Sequence, residues 1–258
     1  MIRFSHLSKT FGTQTVLNDV SFEIRAGEIF SIVGPSGTGK SVTLKHIVRL
    51  LQPTSGEVWV DGVCVSDIPE RELPAVRSHI GYLFQSAALL AWLNVYDNVA
   101  LPLIESPVRI PPDDIRDRVM DALAKVGLEN HAEKFPSDLS GGMQKRAGLA
   151  RAIVTRPKIL LYDEPTSGLD PVTSRRIDAL ITELKDRLGV TSVVVTHDMH
   201  SALAISDRIA MLGSGRVITV ATPAEFLTSP EPAVQDFLAA QYITHRGPWE
   251  TATIECSM

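Results

Sequence analysis

The segment Gly34-Pro35-Ser36-Gly37-Thr38-Gly39-Lys40-Ser41 constrains this chain more than any other. It has the form G-x-x-x-x-G-K-[ST], in which glycines let backbone N–H groups turn inward around an anion. Its context fits that use. A short apolar run, Phe30-Ser31-Ile32-Val33, precedes it, and apolar Val42, Leu44, Ile47, Val48 and Leu51 follow at helical spacing over residues 40–51. A strand, a glycine-rich turn and a helix whose positive end faces the turn make a phosphate site. In such a site Lys40 reaches the β- and γ-phosphates of a nucleotide and the Ser41 hydroxyl ligates Mg²⁺.

The rest of the chain alternates short apolar strands with helices. Strand-like spans occur at 2–7, 20–24 and 57–65, the last with Asp61-Gly62 as a turn. From about Gln85 to Ala152 the pattern is mainly helical, punctuated by Pro102, Pro107, Pro111 and Pro112, with a helix over 113–126. Strand-like runs resume at 159–162, 191–196 and 208–212, with a helix over about 172–188. This order implies an α/β domain with a mostly parallel sheet and a helical insert at about 86–152. Residues 241–258 have little periodicity and read as a tail.

Two further segments carry chemistry. Ile159-Leu160-Leu161-Tyr162-Asp163-Glu164 is an apolar strand ending in two acids, which places them at the sheet edge where α/β ligands bind. Asp163 is suited to hold Mg²⁺, and Glu164 to polarise an attacking water. Leu139-Ser140-Gly141-Gly142-Met143-Gln144-Lys145-Arg146 places a capping serine and two glycines before a helix, a second anion-binding terminus. Two phosphate-binding turns about 100 residues apart are odd for one bound nucleotide. They make sense if two copies face head to tail, each covering the nucleotide of the other.

At this point the sequence resembles the ATP-binding subunit of ABC transporters, over about residues 1–240. The resemblance implies a P-loop NTPase core with a mostly parallel sheet, an antiparallel β subdomain and a helical subdomain, working as a homodimer on ATP and Mg²⁺. Phe11 sits where the family stacks an aromatic on adenine, more often Tyr. Gln85 resembles the glutamine that senses Mg²⁺ and the attacking water and links to the membrane subunit. Ser140, Gly141 and Gly142 match the signature that closes over the partner copy's nucleotide. Ser167-Gly168-Leu169-Asp170 resembles the loop that crosses the dimer interface, and His197, in Val195-Thr196-His197-Asp198, the switch histidine at the γ-phosphate. Met143 departs from the usual Gln. Lys145, Arg146 and Arg151 read as local pairing and surface charge rather than a nucleic-acid site.

Leu83-Phe84-Gln85-Ser86-Ala87-Ala88-Leu89-Leu90, Asn94–Leu103 and the form Ser-Gly-Gly-Met are similar to the ATPase of the Mla-type, MCE-associated lipid transporter. Val234, Phe237 and Leu238 resemble that group's C-terminal helix. Apolar Leu89, Leu90, Trp92 and Leu93 then either line a groove for a permease helix or form ordinary subdomain core. The resemblance implies transmembrane permease subunits, an MCE-domain protein, a small STAS-domain protein and a phospholipid cargo, with the ATPase peripheral on the cytoplasmic face of the inner membrane. The rivals are the ATPase of another ABC importer, for amino acids or metals, and a soluble ABC-type ATPase of DNA or translation. One motif set and a short insert argue against the soluble kind.

Composition agrees with these expectations. Thirty acids against 25 Lys and Arg give a formal net charge of −5, which argues against coating nucleic acid. Cys64 and Cys256 lack metal-ligand spacing and are too sparse for a disulfide framework, which fits a reduced cytosol. No apolar run approaches the ~20 residues of a membrane span, and the first residues lack the apolar core of a signal peptide.

Overall fold

The computed structural model describes residues 1–106, 108–241 and 243. The chain opens with β1 (Ile2–Phe11), β2 (Gln14–Ile24), β3 (Ile29–Val33) and α1 (Lys40–Ile47). Next come β4 (Ser55–Val60), β5 (Val63–Cys64), α2 (Leu73–Arg77) and β6 (Ile80–Leu83). Three helices follow, α3 (Val95–Ile104), α4 (Pro112–Lys125) and α5 (Gly141–Ile153). The remainder runs β7 (Ile159–Asp163), α6 (Pro171–Leu188), β8 (Thr191–Val195), α7 (Met199–Ile205), β9 (Arg208–Gly213), β10 (Arg216–Ala221), α8 (Pro223–Leu227) and α9 (Pro232–Ala240).

These strands form two sheets. One, in order β2-β1-β4-β5, is antiparallel. The other, in order β10-β9-β3-β8-β7-β6, is parallel except for the β10–β9 pair. Every residue of β3, β7 and β8 is buried, as in a parallel sheet covered on both faces. Their sequences are therefore apolar runs, such as Val193-Val194-Val195. At the start of β1, by contrast, Ile2 and Phe4 are buried and Arg3 is exposed, the alternation of a one-sided sheet. Phe22 joins the two sheets, with its ring 4.6 Å from that of Phe4 and 5.3 Å from that of Phe30. Burying each of these rings contributes roughly 1.5–3 kcal/mol. The α/β architecture read from the sequence, with its antiparallel sheet and helical insert, is the one found.

Register places the chemistry at one end. Ile32 of β3 and Asp163 of β7 both lie beside Val195 of β8, and Leu83 of β6 lies beside Tyr162 of β7. Gly34, Glu164, His197 and Gln85 therefore follow within two residues of the same line across the sheet, at the carboxyl ends of four neighbouring parallel strands.

Several local expectations need correction. The helix after the phosphate loop stops at Ile47 rather than Leu51. Arg49 turns left-handed (φ 47°), and the Leu50 and Arg49 amides donate to the Lys45 and His46 carbonyls, closing the helix end in a Schellman turn. Pro102 lies inside α3 instead of ending it. β2 is longer than the apolar run at 20–24, and β6 (Ile-Gly-Tyr-Leu) and the hairpin partner β10 (Arg-Val-Ile-Thr-Val-Ala) were not among the expected strands. The Asp61-Gly62 turn does join β4 to β5, with φ positive at both residues (50° and 83°) as a type I′ turn requires. Of the tail, only Gln241 and Ile243 are among the described residues; Cys256 lies outside them.

Candidate functional site

The phosphate loop is held open by contacts that only glycine allows at two positions. A Cβ on Gly34 (φ 141°) would lie 2.2 Å from the Leu212 carbonyl oxygen, and one on Gly39 (φ 97°) 2.5 Å from Leu17 Cδ2. Between them the loop is exposed at Pro35 to Gly37... a stretch whose own bonds are few: Thr38 Oγ1 donates to the Pro35 carbonyl at 2.9 Å. Gly39 caps α1 without a side chain, so the first amides of the helix, near Lys40, Ser41 and Val42, have no side-chain acceptor. Lys40 is buried and folds back over the loop, its Nζ donating to the Gly34 and Pro35 carbonyls at 2.8 and 2.9 Å. Burial pulls its pKa below the ordinary range, opposed by the charges of Glu164 and Asp163.

Strand β7 delivers the acids. Ser41 Oγ donates to Asp163 Oδ1 at 2.6 Å, across 122 residues of sequence. Tyr82, from the neighbouring strand β6, donates its hydroxyl to Asp163 Oδ2 at 3.2 Å. Burial, and then the Asp163 charge, raise the Tyr82 pKa and keep it a donor. Glu164 is buried and left-handed (φ 51°), a costly conformation for a residue with a Cβ. Its amide donates to the Val195 carbonyl at 2.9 Å. Its Oε2 meets Nδ1 of His197, two residues beyond β8, at 2.7 Å. A hydroxyl and a carboxylate already in contact form a hard-oxygen donor pair suited to Mg²⁺, which completes its shell with phosphate and water rather than a protein cage. Among the described residues no cluster of three His, Cys, Asp or Glu side chains makes such a cage.

The other expected residues lie around this centre. Phe11 ends β1 with its ring partly exposed and the Lys9 ammonium 4.9 Å from its centroid. Gln85 follows β6 and is exposed. Ser140 caps α5, accepting from the Met143 amide at 3.4 Å. Gly141 and Gly142 face Leu169 and Thr173, the start of α6, rather than the loop at 34–41. Asp170 caps α6, accepting from the Val172 and Thr173 amides at 3.0 Å each, and hydrogen bonding from the Thr173 side chain, then from these amides, lowers its pKa. The structure thus joins Lys40, Ser41, Asp163, Glu164 and His197 in one centre, while in the signature turn Ser140 and Gly141 are exposed and Gly142 is buried against Thr173.

Lys145, Gln241 and Asn98 were misread or missed. Lys145 is buried rather than surface charge, and its Nζ donates to the carbonyls of Gln85 and Glu164. Arg146 donates to the Val126 and Gly127 carbonyls, and Arg151 to those of Ala87 and Ala88. Gln241, read as the start of a tail, grips the switch segment: its Nε2 donates to the His197 carbonyl at 2.6 Å, and its Oε1 accepts from the Met199 amide at 2.8 Å. No local pattern signals either partner. Asn98, fully buried, bonds the Leu90, Leu93 and Asn94 backbone and staples the loop before α3 to that helix.

Two concavities adjoin the centre. One of about 620 Å³ runs beside the phosphate loop, between Gln14–Val16 and the α9 residues Asp236 and Phe237. The other, about 730 Å³, lies between β6 and the inserted helices, walled by Tyr82, Phe84, Ala88, Leu101 and Pro102 with Arg77, Arg118 and Arg151 among its lining. The residues expected to line a groove do not wall it. Leu89 packs against the core of the inserted helices, whereas Trp92 is 73% exposed.

The family described as ABC transporter matches residues 17–167. A protein of Mycobacterium tuberculosis named probable ribonucleotide transport ATP-binding protein mkl is 42% identical over 242 residues, covering 94% of this chain and 67% of its own length. The methionine import ATP-binding protein MetN of Carboxydothermus hydrogenoformans is 45% identical over 223 residues, 86% of this chain and 66% of that protein. Among solved structures, the ATP-binding cassette MJ0796 in a dimeric post-hydrolysis state bound to ADP and Pi superposes with a TM-score of 0.80 at 36% identity, covering 86% of this chain and 99% of that one. The cbiO1 protein of Clostridium perfringens, part of the ABC transporter complex cbiONQ, gives 0.81 at 31% identity over 89% and 91%.

Proposed function

This chain belongs to the ABC transporter family and is an ATPase of that family, and from that premise we propose how its residues share the work. Two copies close head to tail over two ATP molecules. In each, the loop amides of Gly34 to Lys40 and the Lys40 ammonium hold the β- and γ-phosphates, and Phe11 stacks on the adenine. Ser41 and Asp163 hold Mg²⁺, which neutralises the charge on the phosphate oxygens when bound. The partner copy's signature, Ser140 to Gly142 in its own chain, closes over the γ-phosphate, with the Asp170 loop at the seam.

Glu164 orients the attacking water and takes its proton. The water oxygen bonds to the γ-phosphorus as the bond from that phosphorus to the bridging oxygen breaks, leaving its electron pair on ADP. His197 steadies the γ-phosphate, and Gln85 reports occupancy to the permease. Only the closed dimer completes the site, so the two states bind ATP differently and hydrolysis reopens the clamp. The observation that carries this reading is the adjacency of Ser41–Asp163 (2.6 Å) and Glu164–His197 (2.7 Å) at one sheet edge. Glu164→Gln tests it: ATP binding persists, hydrolysis stops and the ATP-bound dimer accumulates. Hydrolysis at the wild-type rate would remove Glu164 from this role.

The permease docks over the 730 Å³ concavity between β6 and the inserted helices, and the cargo is phospholipid moved between the membranes of a bacterial envelope. The support is the likeness of residues 83–90 and 94–103 to the MCE-associated lipid ATPases. Import of a small solute is the second reading, favoured by the 45% identity to a methionine import protein. In this reading a permease holds the chain at the cytoplasmic face of the membrane; among the described residues no helix is long and apolar enough to cross a membrane. Recovery of the protein from detergent-solubilised membranes, with mass spectrometry of what travels with it, separates the readings. A permease with an MCE-domain protein, with or without a STAS-domain protein, supports lipid transport, whereas a permease with a solute-binding protein supports solute import.

A further inference from the structure

Helix α5 holds the main chain on both sides of the hydrolytic centre. Lys145 Nζ, buried, donates to the Glu164 carbonyl at 3.0 Å and to the Gln85 carbonyl. Arg151 Nη2 and Nη1 donate to the Ala87 and Ala88 carbonyls, each at 2.7 Å. Lys145, Gly148 and Arg151 recur every three residues, so they share one face of the helix. Gly148 lets that face approach. A Cβ there would lie 3.1 Å from Ala87 Cβ and 2.9 Å from Leu83 Cδ1. Gly81 does the same from the other side, since a Cβ on it would fall 2.2 Å from the Ala152 carbonyl oxygen.

The main chain so held is not in a relaxed conformation. Ala87 (φ 60°), Ala88 (φ 49°) and Glu164 (φ 51°) are all left-handed, and none is glycine. Such residues persist only where the surroundings over-determine them. Here two cations on one helix face engage the carbonyls of Gln85, Ala87, Ala88 and Glu164. Ser140 caps the start of the same helix, and it and Gly141 are exposed.

We propose that Lys145 is a positioning residue for hydrolysis: with Arg151 it makes α5 the carrier of residues 85–88 and of the Glu164 main chain, so that the helix whose N-terminus serves the second copy's nucleotide also sets Gln85 and Glu164 of its own site. This deepens the assignment of Gln85 and Glu164 to ATP hydrolysis and rests on it. An ammonium has three donors and reaches both carbonyls from one buried point, which a neutral side chain of equal length cannot do.

The test uses the full chain with Mg-ATP and two variants, Lys145→Met and Lys145→Arg. Lys145→Met lowers kcat about tenfold or more while KM for ATP stays within about twofold, and Lys145→Arg recovers most of the rate. Amide hydrogen exchange reads the grip directly. In Lys145→Met, exchange over residues 84–90 speeds up about tenfold or more, while β3 and β8 are unchanged. A wild-type kcat in Lys145→Met, unchanged exchange at 84–90, or exchange rising equally throughout the sheet overturns the proposal. Glu164→Gln in the same assays keeps the two readings apart. If it hydrolyses ATP like the wild type, the assignment of Glu164 fails, and exchange at 84–90 still decides whether Lys145 holds the loop.

Discussion

His197 Nδ1 lies 2.7 Å from Glu164 Oε2, although the two residues sit beyond different strands and 33 positions apart. With a carboxylate as acceptor, the ring nitrogen is the donor, and the imidazole orientation is set by the same group that is proposed to orient the attacking water. The histidine side chain is 59% exposed and the glutamate side chain 11%. The pair therefore spans from the buried strand end to the open face of the site, where the proposed mechanism places the γ-phosphate.

Because the two act through one contact, their losses should not add. His197→Ala is expected to lower kcat roughly 10²-fold or more, as does loss of one preorganised donor to developing charge, with ATP affinity little changed. The Glu164→Gln, His197→Ala double variant is expected to fall within about tenfold of the worse single variant. Steady-state ATPase rates on the four proteins check this, and full additivity would mean two independent roles.

The Ser41–Asp163 contact leads to a metal-dependent prediction. Ser41→Ala removes one of the proposed oxygen ligands and, among the described residues, leaves Asp163 the Tyr82 hydroxyl as a side-chain partner. The Mg²⁺ concentration for half-maximal ATPase rate is expected to rise on the order of 10–100-fold. Binding of ATP without metal should change little, because Lys40 and the loop amides remain. A magnesium titration of both proteins at saturating ATP reads the shift.

The centre was legible because its parts are local. Residues 34–41, 159–164 and 195–198 each put a strand, a turn and the reactive side chain within one short stretch, and their convergence follows once the strands are parallel neighbours. Lys145 was not legible as a buried group. Its acceptors are carbonyls 19 and 60 residues away, and three basic residues on a helix look alike until the helix is packed. Gln241 has partners 42 and 44 residues back and no periodic context. The early end of α1 depends on a left-handed arginine where glycine is the usual signal. The apolar run at Leu89–Leu93 gave no sign of which side chains the core would take, since that depends on Asn98 pinning the loop.

His46 carries a pH dependence of stability. It is buried on α1, its Nδ1 pairs with the Val42 carbonyl at 2.7 Å, and its Nε2 makes no hydrogen bond within 3.5 Å among the described residues. Burial lowers its pKa below the ordinary 6.5, only partly opposed by the Val42 bond. The unfolded chain therefore binds a proton that the folded chain refuses. The stabilisation is complete above pH 6.5 and is lost as pH falls below that value, at a slope of at most about 1.4 kcal/mol per pH unit. Urea midpoints from pH 7.5 to 5 should show this slope in the wild type and lose that part of it in His46→Leu. Parallel curves would mean that the ring stays neutral in both states or charged in both.

Gln241 gives the last prediction. Its side-chain amide donates to the His197 carbonyl and accepts from the Met199 amide, so one group closes the switch segment from both ends. Met199 opens α7, and its own side chain is buried in the same apolar cluster as Phe226 of α8 and Val234 of α9. The switch histidine is thus tied to the C-terminal helix, and its freedom to move depends on a residue outside every nucleotide motif. Each bond is worth about 0.5–1.5 kcal/mol, enough to change the fraction of time His197 spends aligned but not enough to unfold the domain. Gln241→Ala is expected to lower kcat about three- to tenfold with KM for ATP unchanged, since a barrier change of 1.4 kcal/mol is tenfold. Gln241→Glu keeps the acceptor for Met199 and loses the donor for His197, so its rate should fall between the two. A Gln241→Glu rate below that of Gln241→Ala would point instead to the added charge beside His197, and a wild-type rate in both variants would leave the clamp without a part in turnover.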